Sequence, residues 1–156
     1  MPDGLYERDA LLWSEEQAGL LRRLAAGERL NGAIDWPNLI EEIEAMGRSE
    51  LRACESLLSQ ALLHLLKLQA WPESMAVEHW SGEAEQFLID AARAFTPSMR
   101  PRIDLHRLYR TETFRLRRKR DASGHARTAP SACPYELDDL LTELPDIEAL
   151  VKRLGG

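Results

Sequence analysis

Side chains that could carry out chemistry are concentrated in one segment of the sequence. The carboxylates of Glu41, Glu42 and Glu50 could bind a metal ion or transfer protons. His64 and Lys67 follow them and add an imidazole and an amine. These five residues form the candidate catalytic set of a carboxylate- and histidine-based enzyme, which could depend on a metal ion.

The spacing of these residues argues against a metal centre. Helical bundles that bind metal ions through carboxylates use Glu-x-x-His motifs, and the sequence contains none. We therefore predict neither a metal site nor a cofactor. At 100° per residue, Glu41 and Glu44 point to one side of a helix while Glu42 points elsewhere. The acidic cluster is better explained by the helix dipole and by salt bridges to a basic helix.

Glu50 and His64 also have structural interpretations. Glu50 falls within the apolar face of its helix, so its charge predicts an ion pair with an Arg or Lys from another helix. His64 lies among leucines, where a histidine is more often a hydrogen-bonded core residue than a ligand. In one straight helix the two residues are about 21 Å apart, and they share a site only if the helix breaks near Gly47. The sequence thus favours a protein that is not an enzyme.

A basic stretch lies later in the chain. Residues 93–120 carry ten Lys or Arg side chains against two carboxylates. We favour neutralisation of this stretch by the acidic helices, since opposite charge blocks in a small domain usually meet. Nucleic-acid contact is an alternative of lower rank, because aromatic residues for stacking are few and no helix-turn-helix or zinc-finger signature occurs. The candidate phosphate contacts are Arg115, Arg117, Arg118, Lys119 and Arg120.

The elements that position these residues are all helical. Apolar residues recur at intervals of three and four, which is the period of a helix with one buried face, and no strand-like alternation appears. Gly27 provides a stop after the first helix, and Asp35 provides a cap for the second. The predicted longer helices span about residues 6–26, 35–71, 74–95 and 98–120. Residues 121–131 predict a mobile loop, followed by two short C-terminal helices.

The second predicted helix has two distinct halves. A continuous apolar seam centred on Cys54 includes Leu39, Ile40 and Ile43 in the front half. Residues 61–68 are apolar around most of the circumference, which predicts a dry central rod with neighbours on several sides. Gly47 interrupts the front half and costs roughly 1 kcal/mol relative to alanine. We expect either a kink there or another backbone close by.

Length and composition fit one all-α domain over residues 1–156, a bundle of about four longer helices with short C-terminal helices. No apolar run reaches the ~18 residues of a membrane span, and no secretory signal is recognised. We therefore expect a cytoplasmic protein with no membrane contact. Cys54 and Cys133 are predicted to be free thiols.

Several short motifs follow one another along the chain: Asp35-Trp36, Glu41-Glu42-Ile43-Glu44, Gly47-Arg48-Ser49-Glu50, His64-Leu65-Leu66-Lys67, Gln69, Pro72, Trp80 and Cys133-Pro134-Tyr135. Their order resembles a known family, the bacterial domain-of-unknown-function family twenty-nine. The resemblance covers nearly the whole chain and implies an α-helical protein without an assigned activity, so no catalytic residue can be transferred. One departure is Ala129-Pro130-Ser131, where the family is expected to have Phe-Pro.

Three functional hypotheses follow from the sequence. The leading one is a small interaction module that binds another protein or a second copy of itself, because a well-patterned core occurs without a complete catalytic constellation. The first alternative is the carboxylate- and histidine-based enzyme. The second alternative is nucleic-acid contact through residues 110–120.

Overall fold

In the computed structural model of the chain, residues 4–123 and 127–155 are described, with the side chains of residues 120–123 left aside. Helices account for the regular structure in these residues, and they contain no strand, so the predicted all-α class is confirmed. No helix among them is both long enough and apolar enough to cross a membrane. The helices are α1 (Leu5–Arg8), α2 (Ala10–Ala25), α3 (Trp36–Ala70), α4 (Val77–Ala94), α5 (Leu105–Ser123), α6 (Leu137–Leu140) and α7 (Ile147–Leu154), with a 3₁₀ helix at Pro97–Arg102.

The chain divides into two compact units, Met1–Ser49 and Glu50–Gly156. We call them unit 1 and unit 2. Helix α3 contributes its front half to unit 1 and its rear half to unit 2. The single domain expected over residues 1–156 stays a prediction.

Unit 1 contains α1, α2 and the front half of α3, and its buried polar centre is Asp35. The carboxylate of Asp35 accepts hydrogen bonds from Trp13 Nε1 at 3.0 Å and Asn38 Nδ2 at 2.8 Å. Its backbone N–H donates to Gln17 Oε1 at 2.8 Å. The bond from Asn38 and the bond from Trp13 lower the pKa of Asp35, against the opposing effect of burial. Asp35 therefore does more than begin a helix, because it joins α2 to α3.

The first predicted helix is divided in the structure. Asp9 adopts an extended conformation between α1 and α2, and its side chain accepts a hydrogen bond from the backbone N–H of Leu12 at 3.0 Å. An aspartate that caps a new helix ends the preceding one, which the apolar spacing does not reveal. Gly27 has φ +89° just after α2, as its predicted stop requires.

Unit 2 has its core along the rear half of α3. Ala61, Leu62, Leu65 and Leu66 are at most 1% exposed, so the predicted dry rod is confirmed. Helix α4 runs antiparallel to α3, since Cys54 contacts the carbonyl of Ala91 while residues near the end of α3 meet the start of α4. The apolar core residues of α3 are therefore enclosed by other helices of the same unit.

Helix α5 runs parallel to the rear half of α3. An ion pair of 3.5 Å joins Arg107 of α5 to Glu55 of α3. The predicted fourth helix began at residue 98, but Pro97–Arg102 forms a 3₁₀ helix and α5 starts only at Leu105. Pro101 supplies no backbone N–H, which favours this early break.

The predicted loop at residues 121–131 is partly wrong. Helix α5 continues to Ser123, and residues 124–126 lie outside the described residues. The following segment lacks regular structure but is held by hydrogen bonds. The backbone N–H of Arg127 donates to Ala70 O at 3.0 Å, and the hydroxyl of Tyr109 donates to Pro130 O at 2.7 Å. Hydrogen bonds to distant residues, which local composition cannot show, fix this segment.

The two short C-terminal helices are present as α6 and α7. The buried Tyr135 connects them, because its hydroxyl donates to Leu150 O at 2.6 Å. Arg153 pairs with Asp139 at 3.0 Å. Burial raises the pKa of Tyr135 well above its usual range, so the hydroxyl remains a donor at all ordinary pH values.

Candidate functional site

The acidic residues at the front of α3 are engaged within unit 1. Glu41 pairs with Arg48 at 2.7 Å, and Glu44 approaches the same guanidinium at 3.8 Å. Glu42 accepts a hydrogen bond from the hydroxyl of Tyr6, which raises the pKa of that tyrosine. The expected salt bridges from this cluster to the basic fourth helix stay a prediction. An arginine one or two turns away on the same helix is a nearer partner.

Glu50 lies at the start of the unit 2 part of α3 and is exposed. No ion pair of Glu50 occurs among the described side chains, so the predicted buried pair is wrong. The angular position within an apolar seam was correct, but this part of the seam faces solvent and a charge there needs no partner.

His64 is buried and hydrogen-bonded through both ring nitrogens. Its Nδ1 lies 2.7 Å from Gln60 O, and its Nε2 lies 2.6 Å from a carboxylate oxygen of Glu83 on α4. The other oxygen of Glu83 approaches the exposed His79 at 3.3 Å. A carbonyl oxygen can only accept, so Nδ1 carries a proton. The other ring nitrogen, Nε2, is the one that faces Glu83.

Lys67 lies one turn beyond His64 and is half-buried. Its ammonium lies 5.7 Å from the ring centroid of Trp80. Burial and the nearby ammonium of Lys119 lower the pKa of Lys67, against the opposing effect of Glu83. The structure thus brings His64 and Lys67 close to one carboxylate, that of Glu83.

In the contact between His64 and Glu83, both ring nitrogens are engaged, so the imidazole has no free nitrogen for a metal ion or a substrate. Among residues 4–123 and 127–155, no three His, Cys, Asp or Glu side chains are grouped to hold a metal ion. The sequence analysis overlooked Glu83. The sequence does show that Glu83 follows His79 by one helical turn. It does not show that Glu83 pairs with His64, because the two residues are far apart in the sequence.

The basic residues near the end of α5 do not form a single face. Arg115, Arg117, Arg118 and Lys119 are exposed, and the side chain of Arg120 lies outside the described part. Successive helical residues are 100° apart, so Arg117 and Lys119 point about 160° away from each other. The predicted phosphate contacts are therefore spread around the helix.

One acidic residue in this basic helix is buried. Glu112 is 2% exposed, pairs with Arg115 at 3.2 Å through Oε1, and has no protein donor for Oε2 in the described structure. Burial raises its pKa, against the opposing effect of Arg115. Sequence reasoning treated this carboxylate only as a minor offset to the positive charge.

Unit 1 leaves an apolar surface uncovered on α3. Trp36, Ile40, Ile43 and Met46 are 49%, 52%, 61% and 65% exposed, and we call these four residues the front stripe. Their spacing of four, three and three residues places them on one side of the helix. The sequence predicted that this part of the seam was packed. The structure shows it exposed.

Gly47 lies beside the front stripe, and helix α3 passes through it without a break. A Cβ atom added at Gly47 would meet nothing within 4 Å. The helix therefore does not break at Gly47, and no neighbouring backbone comes within 4 Å of that Cβ position. Glycine lowers the stability of a helix interior relative to alanine. No contact within one copy of the chain explains a glycine at this position.

Comparisons with known proteins give a family and a fold but no activity. The family model described as "Domain of unknown function DUF29" matches residues 5–144. An α-helical protein of unknown function from Rhodospirillum rubrum, whose crystal structure is known, is similar at 32% identity with a TM-score of 0.74. The similarity covers 97% of this chain and 98% of that one. No curated protein matches the chain.

Proposed function

Because the chain belongs to the domain-of-unknown-function family DUF29, for which no activity is described, we propose its function from the geometry: a helical module that associates with a second copy of itself through the front stripe. The observation that carries this proposal is the exposed apolar surface of α3 in unit 1. A cytoplasmic location is part of the proposal. It is supported by Cys54 and Cys133, which are free thiols as in proteins of reducing compartments.

The size of the front stripe supports association. Its four residues are each between 49% and 65% exposed, and a contiguous exposed apolar patch often marks a functional surface. Standard interfaces bury about 800 Å² per partner, with an apolar centre and a polar rim. The front stripe supplies the centre, and the neighbouring Glu42 and Glu44 supply part of the rim.

The arrangement of the front stripe favours two antiparallel copies of α3. With a two-fold axis at Ile43, Ile40 of one copy lies opposite Met46 of the other, and Leu39 lies opposite Gly47. An isologous interface needs such self-complementary pairs. The large side chain of Leu39 then faces the residue that has no side chain.

This pairing also accounts for Gly47. Close contact between two helices requires a small residue where their backbones approach, and the open space at Gly47 can receive Leu39 of the second copy. The glycine is costly in the isolated chain and favourable in the pair.

The proposal is tested with Gly47→Leu, which should block the approach of the second helix at a position where an added Cβ atom meets no atom within 4 Å. We expect the wild type to form a dimer in sedimentation equilibrium, and Gly47→Leu to weaken the dimer at least tenfold. Helix propensity predicts that the variant monomer is as stable as the wild type or more stable.

A matched control is Ser49→Leu, which places the same side chain two residues away on another side of α3. It should leave the dimer unchanged. A wild type that sediments as a monomer at all concentrations up to about 100 μM, far above a micromolar Kd, refutes self-association through this surface.

A further inference from the structure

A cavity of about 360 Å³ lies in unit 2 between helix α5 and the segment at residues 128–131. Its volume is near the lower end of the range for small-molecule sites, about 300–1,000 Å³. Helix α5 contributes Arg110, Thr113, Phe114 and Arg117 to the lining. At 100° per residue these four side chains fall on one side of the helix, so they can contact one ligand together.

The wall opposite α5 is held in place from the core. The hydroxyl of Tyr109 donates to Pro130 O at 2.7 Å, and Gln69 Nε2 donates to Thr128 O at 3.2 Å. Both donors are buried. Because two carbonyl groups of this segment are bonded to core side chains, the wall keeps its position without a ligand, and binding does not have to order it.

The charge of the lining favours an anion. Arg110 and Arg117 are exposed, and no Asp or Glu occurs among the described residues that line the cavity. Arg107 of the same helix pairs with Glu55, whereas no carboxylate pairs with Arg110 or Arg117 in the described part of the chain. Guanidinium groups are permanently charged and bind phosphate through pairs of N–H donors. Two of them at one cavity therefore favour a phosphate group.

The lining also offers a surface for a planar group. Phe114 is 66% exposed, and it lies between the two arginines in the sequence of α5. Exposed aromatic rings beside positive charge are typical of sites on which unpaired nucleotide bases stack. Thr128 and Ser131 add hydroxyl groups that can donate or accept hydrogen bonds. These groups match the polar edges of a base and a sugar.

We infer that this cavity binds a nucleoside monophosphate, with the base on the ring of Phe114 and the phosphate between Arg110 and Arg117. Such a ligand uses the ring, the two cations and the hydroxyl groups at once. Inorganic phosphate lacks the base, a nucleoside lacks the charge, and a simple aryl phosphate lacks the polar edges. The inference is independent of the self-association proposed for unit 1.

The probe for this inference is ethenoadenosine monophosphate, a fluorescent nucleotide whose anisotropy rises when it binds the full chain. We expect saturable binding at low salt with a Kd of about 100 μM or lower. Unlabelled adenosine monophosphate should displace the probe. Adenosine, inorganic phosphate and phenyl phosphate should each compete more weakly than adenosine monophosphate by about fivefold or more, because each lacks one part of the ligand.

Three variants separate the contacts of the phosphate from those of the base. Arg110→Gln and Arg117→Gln each remove one cation and should weaken binding of the probe by about fivefold or more. Phe114→Leu removes the ring and should weaken binding of the probe to a similar extent, while the weak competition by inorganic phosphate stays unchanged. The three side chains are at the surface, and circular dichroism confirms that each variant is folded.

A matched control is Arg118→Gln, which makes the same change of charge one residue further along α5, about 100° around the helix. It should leave the affinity for the probe unchanged. An equal loss in Arg118→Gln and Arg117→Gln would show general attraction to positive charge and would overturn the inference. The same conclusion follows from no saturable binding, from phenyl phosphate that competes as well as adenosine monophosphate, or from an unchanged affinity of Phe114→Leu for the probe.

Discussion

The ring of His64 is held from both sides, and this arrangement gives the residue a structural role. Gln60 O fixes Nδ1, Glu83 holds Nε2, and the ring of Phe87 lies 5.4 Å away. Neither ring nitrogen of His64 is free to contact a substrate. The hypothesis of a carboxylate- and histidine-based enzyme stays a prediction. The change in stability on substitution of His64 tests the structural role instead.

His64→Ala should destabilise the protein by about 2 kcal/mol, because it creates a small cavity and leaves Glu83 without its buried partner. His79→Ala removes the exposed contact of the same carboxylate and should change stability by less than about 0.5 kcal/mol. Urea denaturation measures both values. Equal effects of the two substitutions would contradict the structural role of His64.

Glu112 makes a second residue-scale prediction, which concerns pH. Its folded pKa is raised above the unfolded value, so the folded state binds the extra proton and stability falls as pH rises through the folded pKa. Glu112→Gln removes the buried charge, with Arg115 left as an exposed cation. We expect the variant to be more stable at pH 7, by about 1 kcal/mol.

Thermal unfolding between pH 4 and pH 8 measures this effect. The stability of the wild type relative to Glu112→Gln should decline from about pH 4.5 upward, the unperturbed value for a glutamate. A constant difference between the two proteins over this range would show that Glu112 does not titrate differently in the folded state.

At the scale of elements, α3 combines two contrasting surfaces. Its residues from Cys54 onward are largely buried in unit 2, while the front stripe in unit 1 is exposed. An apolar seam continues through both parts, although residues 61–68 are apolar around most of the circumference. We attribute the difference to a partner that the isolated chain does not contain.

The antiparallel pairing makes a specific prediction for cross-linking, because only a residue at the two-fold axis meets its own copy. Ile43→Cys should form a disulfide-linked dimer under mild oxidation, in a Cys133→Ser background that removes the half-buried native thiol. Ile40→Cys should not cross-link with itself, since its two copies are about 9 Å apart along the axis. Denaturing electrophoresis without reductant measures the yield.

Efficient cross-linking of both Ile40→Cys and Ile43→Cys would indicate a parallel pairing instead, and failure of Ile43→Cys would count against a two-fold axis at this residue. The double variant Ile40→Cys/Met46→Cys provides a positive control, because these two positions face each other in the antiparallel pair with its axis at Ile43. Failure of the double variant together with failure of both single variants would place the axis away from Ile43.

Helix α5 gives an expectation for nucleic acid. Arg117 lines a cavity of about 360 Å³ with Arg110 and the exposed Phe114, but the other basic residues point in different directions. We expect no saturable binding of a 20-base-pair duplex at 50 mM salt, measured by fluorescence anisotropy. Micromolar binding that Arg117→Gln weakens and Arg93→Gln on α4 does not would restore the alternative hypothesis.

At the scale of the whole molecule, two compact units share one uninterrupted helix. Unit 2 holds the dry core around residues 61–68. Unit 1 has the buried hydrogen bond from Trp13 to Asp35 at its centre. The net charge of −6 comes mainly from acidic residues outside the basic stretch of α5. Whether the chain behaves as a single domain therefore depends on whether the two units unfold together.

We expect one cooperative unfolding transition in calorimetry, because a helix that continues through both units loses hydrogen bonds in each when either one unfolds. Trp13→Ala, which removes the buried indole of unit 1, should lower the midpoint of the entire transition. A second transition that remains at the wild-type midpoint would show that the units unfold independently.

The sequence alone determined the helical class, the stop at Gly27 and the dry rear half of α3, because helix periodicity and local chain chemistry are short-range properties. It also correctly placed Glu50 and Ile43 on one face. It did not show that this face is exposed there, since coverage depends on which distant elements pack against it.

Tertiary structure decided the remaining features. Only packing could bring Glu83 to His64, bury Glu112, and form the cavity between α5 and residues 128–131. These features join residues that are distant in the sequence, such as His64 and Glu83, which are 19 positions apart, and no local pattern encodes them. The apolar periodicity of the sequence specifies which side chains share a face of a helix. The tertiary structure determines whether that face is buried and which residues it contacts.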